Sequence, residues 1–200
     1  MKNFITIILI TLININCKAQ NINNTTNTDY TNLPNGCYLR DINNYLTPYV
    51  GEWKYTNGNT FILIKIRKII NYNNGTYKED MLIGEYQYVE NGIEKINTLA
   101  NFSTNFLDQY FHDINGNMLK RNADSPACND CGSNPRVSLI YSDPIKLVAG
   151  TMCIGINDID TIKVYIITSG IHYIQNPDDS LDYENVGFTI PNGWYVLEKQ

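Results

Sequence analysis

Charge is scarce in this sequence. Asp, Glu, Lys and Arg make up 18% of its 200 residues, against about a quarter in an ordinary soluble domain. The fifteen Lys and Arg are scattered, and only Lys65, Arg67 and Lys68 crowd together. With a net charge of -5, the chain offers no clustered cations to phosphate, so nucleic acid is excluded as a partner. On a strand Lys65 and Arg67 fall on one face and Lys68 on the other, and they are expected on solvated surface. Histidine occurs twice, as His112 and His172, both expected on the surface or in loops. There is no G-x-S-x-G elbow, no glycine-rich phosphate loop and no H-E-x-x-H. No catalytic or cofactor-binding residue is assigned on that basis, and no enzyme is expected. Long helical periodicity is missing throughout.

Long hydrophobic runs are also missing. The apolar stretch from Phe4 to Ile15 is shorter than the roughly 20 residues that span a bilayer. Preceded by Lys2 and followed by "CKAQ", it has the order of a secretory signal peptide. Residues 1–19 are expected to be that peptide, with cleavage between Ala19 and Gln20. A lipid anchor through Cys17 is the alternative. Residues 20–35 are polar and read as a flexible linker, because they cannot bury enough surface to offset ordering entropy. An exported protein, periplasmic, cell-surface or extracellular, is the expectation.

What the chain does have is asparagine and tyrosine, 29 and 15 copies. Asparagine supplies turns. Asn57-Gly58 and Asn91-Gly92 are hairpin signals, since both residue types tolerate positive φ. Between them strands alternate. Ile62, Ile64 and Ile66 share one face of "TFILIKIRKII", with Lys65 and Arg67 on the other. In "KEDMLIGEYQYVE", Leu82, Gly84, Tyr86 and Tyr88 oppose Glu85 and Gln87. Asn115-Gly116 suggests a further hairpin. Asp41 is placed to cap a short helical turn that Pro48 ends. Residues 36–200 therefore read as one all-β domain, an antiparallel meander of eight to ten strands forming a lipocalin-like barrel or a β-sandwich.

Four cysteines follow the leader: Cys37, Cys128, Cys131 and Cys153. In an exported chain they are candidate disulfide partners, and three complete pairings are open. Cys128-Asn129-Asp130-Cys131 has redox or zinc spacing, but no helix pattern follows it and no second pair accompanies it, so a structural disulfide is expected and no metal is assigned. The acidic runs "NDID" and "NPDDSLDYE" lack EF-hand spacing and read as solvated loops.

Gly51-Glu52-Trp53 resembles the G-x-W motif that opens the first strand of lipocalin-like barrels, where a short helical turn precedes it and the tryptophan plugs the closed end. That resemblance implies a late-strand arginine against the tryptophan, whereas the last arginine here is Arg136. A broader likeness rests on "LPNGCYLRDINNYLTPYVGEW", "YKEDMLIGEYQYVENG" and the closing "LEKQ". From about Leu33 to Gln200 the chain is similar to DUF6705, a family of exported bacterial proteins of unknown function. The likeness implies one domain and brings no activity. Two roles are expected. One is non-catalytic binding of a small apolar ligand or a cell-envelope component, in a barrel or on a tyrosine-rich face. The other is a structural or interaction protein with a filled core, acting through an exposed surface or sheet edge.

Overall fold

Alternation at period two becomes strand pairing in the computed structural model, which describes residues 20–21, 33, 36–172 and 187–200. The signal-peptide reading and most of the linker lie outside those residues, as does the "NPDDSLDYE" run. Eleven strands form: β1 (Gln20–Asn21), β2 (Tyr38–Arg40), β3 (Gly51–Asn57), β4 (Thr60–Asn73), β5 (Lys78–Glu90), β6 (Ile93–Asn97), β7 (Ile114–Lys120), β8 (Arg136–Asp143), β9 (Val148–Asp158), β10 (Thr161–His172) and β11 (Gly193–Lys199). No α-helix occurs among the described residues, only three short 3₁₀ turns. The Asn-Gly signals do their work at the hairpins. Asn91 and Gly92 both take positive φ between β5 and β6, while between β3 and β4 only Gly58 does.

Eight of these strands close a barrel. Around it run β3, β4, β5, β7, β8, β9, β10 and β11, every neighbour antiparallel, with β11 returning to β3 through Lys54↔Glu198 and Trp53↔Lys199. A barrel rather than a sandwich is thus the architecture, in a single domain. The surplus over the expected eight to ten strands comes from short additions. β6 is a hairpin on the end of β5, and β1 and β2 add parallel pairs at its other end. Gln20 and Asn21, expected in the linker, lie against the barrel through β1. The two parallel pairs depart from the all-antiparallel expectation.

The interior is packed with side chains. Trp53, Ile62, Ile64, Ile66, Tyr86, Tyr141, Met152, Val164 and Leu197 are all buried in one cluster. Apolar residues two apart on each strand meet there, and burial of a single isoleucine or leucine stabilises by about 1.5–3 kcal/mol. One end of the barrel is closed by residues 41–50. Asp41 accepts the backbone N–H groups of Tyr45 (2.8 Å) and Leu46 (3.0 Å) and the Lys68 ammonium (2.7 Å). It thus organises the turn before the 3₁₀ segment Thr47–Tyr49, rather than capping that segment itself. Leu46 and Tyr49 are buried there. At the other end Phe188 stacks edge-on against Tyr141, and Asp143 accepts the Thr189 N–H.

The outer wall carries two covers that the sequence pattern did not announce. The segment 98–113 lies over β4 and β5, so Met81, Ile83 and Glu85 are buried although they face outward. Arg67 donates to the carbonyls of Phe102 and Thr104, so this cation pins a loop instead of facing water. The loop 121–135 covers β8 and β9. Its pin is Arg136, which is fully buried and donates to the carbonyl oxygens of Arg121, Asn122, Asp124 and Pro126. Gly155 makes room for this. A Cβ there would lie 2.9 Å from Arg136 Cγ and 2.7 Å from Cys131 Sγ, so only a bare backbone fits.

Candidate functional site

The seam between β5 and β7 is the shortest in the barrel wall besides that between β3 and β11. Only Leu82↔Gly116, Ile83↔Asn115 and Gly84↔Ile114 pair. Beyond Gly116 the two strands part, and the register of β7 against β8 slips by one residue between Asn115 and Met118. This is a bulge, a device that re-aims side chains and ends pairing. Gly116 takes φ +132°, in the region that favours glycine. The same bulge turns Asn117 into the gap, where its amide nitrogen donates to Asp80 O (2.9 Å) and Glu79 Oε2 (2.8 Å). Asn115-Gly116 is therefore a bulge inside a strand, not the turn of a hairpin, because β8 continues to pair on both sides of it.

Outside this parted seam lies a cleft of about 310 Å³. Tyr77, Tyr110, Glu79 and Asn117 form its polar side, and Met118, Leu139 and Ile140 its apolar side. Glu79 anchors the polar side. Its Oε1 accepts from Tyr110 OH (2.6 Å) and Asn74 Nδ2 (3.0 Å). Burial pushes the Glu79 carboxyl above its ordinary pKa, opposed by those hydrogen bonds. Burial first, and then the Glu79 charge, push the Tyr110 phenol far above its usual range, so it stays a donor. Tyr72 packs edge-on against Tyr110, with ring centroids 6.0 Å apart.

A second polar cluster sits farther along β5, beneath the 98–113 cover. His112 Nδ1 lies 2.7 Å from Glu85 Oε1, and both side chains are fully buried. His112 lies in a loop, one of the two positions expected of it, but not at the surface, because this cover carries it onto the outer face of β5; the His172 side chain lies outside the described residues. The neighbouring Asp113 lies close to the Glu85 carboxylate. Its pKa is raised to about 7, first by burial and then by the Glu85 charge. Among the described residues, no group of three or more His, Cys, Asp or Glu side chains is arranged to hold a metal ion.

Trp53 is buried at the closed end of the barrel and donates from Nε1 to Tyr49 O at 2.8 Å. Gly51 lies at the start of β3 with φ +143°. No arginine reaches Trp53. Lys199 of the last strand does so, its ammonium 5.5 Å from the ring centroid. Cys128 and Cys131 form a disulfide, as expected for that pair. Cys153 corrects the disulfide expectation: it is a free, buried thiol on the outer face of β9, and burial raises its pKa. Cys37 is buried too, and its pairing falls outside the described residues. The "NDID" run forms the β9–β10 turn, where Ile159 N donates to Asp158.

The seam cleft was not legible in the sequence. Glu79 and Asn117 stand 38 residues apart, and each reads alone as a solvated strand residue. The available signal was "EDMLIGEYQYV" itself, which is apolar on both faces at Met81, Leu82 and Ile83 and so needs a cover outside the barrel as well as a core inside it.

Fold and site together define an eight-stranded antiparallel β-barrel with a filled interior and an external cleft. The chain belongs to the family of unknown function DUF6705, whose model matches residues 1–200. No curated protein and no solved structure matches it. No helix among the described residues is long and apolar enough to cross a membrane.

Proposed function

We propose that this is an exported, non-catalytic binding protein whose small ligand occupies the seam cleft on the outer wall. The observation that carries the reading is the cleft itself. Its volume of about 310 Å³ reaches the range of small-molecule sites, and it combines apolar lining with a few placed polar groups. The packed interior speaks against carriage inside the barrel. Export is supported by the leader-like residues 1–19 and by the Cys128–Cys131 disulfide, a bond typical of oxidising compartments.

Native mass spectrometry of the protein purified from its own host tests the reading. A bound small molecule is expected on the wild type and not on Met118→Trp, because the indole fills the cleft from a half-exposed position without entering the core. An unliganded wild-type mass, or a ligand that persists in Met118→Trp, overturns it.

The second reading, an interaction protein, draws on exposed apolar residues of the outer wall: Ile140 on β8 and Ile167 on β10, which flank Thr151 of β9 in the register, and Trp194 and Val196 on β11. Sedimentation of the wild type against Trp194→Lys distinguishes this reading, which requires the substitution to dissolve an association.

A further inference from the structure

Glu79 is 1% exposed, and its hydrogen bonds suit a carboxylate acceptor. Asn74 Oδ1 accepts from the backbone N–H groups of Thr76 and Tyr77, so the other end of that amide, facing Glu79 Oε1, is nitrogen. The Asn117 nitrogen also donates to Asp80 O, which can only accept, so it too is correctly placed. Amide nitrogens cannot accept a hydrogen bond. Both Glu79 oxygens therefore act as acceptors, and the arrangement suits a carboxylate ion. Each of its partners is neutral: Tyr110, Asn74 and Asn117. No lysine, arginine or histidine lines the cleft among the described residues. Asp41 makes the contrast, since it is equally buried but holds the Lys68 ammonium at 2.7 Å. A charge removed from water without an opposite charge is costly, and here it borders an open cleft.

We infer that the seam cleft receives the ammonium group of a cationic amine, with Glu79 as counter-charge, Tyr77 and Tyr110 as aromatic walls, and Met118, Leu139 and Ile140 as the bed for its hydrocarbon part. This rests on the reading of the cleft as the binding site and names the ligand class. A cation here meets an anion in a medium of lowered dielectric, where attraction is stronger than in water. Tyrosine ring faces add to it through their quadrupole. An anionic ligand meets the same charge as repulsion. The hydrocarbon part gains roughly 0.8 kcal/mol per buried methylene.

The test is calorimetric titration of the full chain with n-hexylammonium, n-hexanol and hexanoate at neutral pH. Hexylammonium is expected to bind at least tenfold more tightly than hexanol, and hexanoate not to bind. Glu79→Gln removes the preference for hexylammonium over hexanol. A pH series on the wild type supplies a check that needs no variant. Affinity for hexylammonium, itself charged throughout, falls as acidification protonates Glu79. Equal binding of hexylammonium and hexanol, both blocked by Met118→Trp, overturns the cation assignment and keeps the cleft. Binding that survives Met118→Trp, or no binding of either compound, removes both.

Discussion

Ile64 and Arg136 are both buried to within 1% of complete exclusion from water, on opposite faces of one barrel wall. Ile64 points inward and stands between Trp53 and Tyr86 in the sheet register. Arg136 points outward into four carbonyl oxygens of the loop it holds down. The inner face is stabilised by non-directional removal of apolar surface from water. The outer covers are placed by directional hydrogen bonds: those of Arg136 for the loop 121–135, and those of Arg67 and the Glu85–His112 pair for the segment 98–113. The seam cleft lies where neither cover closes. The inner face thus decides whether the barrel exists, and the outer face decides what its surface presents.

Ile64→Ala gives the largest expected effect. A cavity inside a packed barrel costs about 2–5 kcal/mol, read as a fall in the denaturant midpoint shared by every probe. Arg136→Met comes next, at about 1–3 kcal/mol, since the released carbonyls regain water when the loop lifts. Hydrogen exchange should quicken in 121–135 and stay unchanged in β3, β4 and β5. If all amides quicken together, the division between wall and cover is wrong.

The smallest effect is one of pH. Asp113 faces Glu85, Asp143 and Thr98, with His112 beside it in the chain. Its carboxyl keeps a proton up to about pH 7 in the folded chain, against an ordinary value of 3.8. Between those values the folded state binds more protons than the unfolded one, so stability falls as pH rises through that window and levels off above it. Urea midpoints measured across the window should show this slope, and Asp113→Asn should flatten it. An unchanged slope in the variant would assign the effect to another group.

Much of the barrel could be read from the chain. The alternation of Ile62, Ile64 and Ile66 foretold an inward face, and Asn91-Gly92 foretold a hairpin with its turn residues in place. The turn after β3 was displaced by one residue, because Gly58 alone supplies positive φ there. Asn115-Gly116 misled for a related reason: the same dipeptide serves a turn or a bulge, and only the continuing β8 partner distinguishes them. His112 and Glu85 looked like surface residues because their burial depends on a cover that has no strand periodicity of its own.

By itself the sequence determined an all-β chain, its hairpins and its inward-facing residues, since these depend on neighbours two or three positions away. Closure of the barrel, the free thiol at Cys153, the covers and the cleft were decided only by the tertiary structure. Each needs groups distant in the chain to meet, as Glu79 meets Asn117 and Arg136 meets Arg121. A side chain's alternation along a strand says which way it points, and not what stands in front of it.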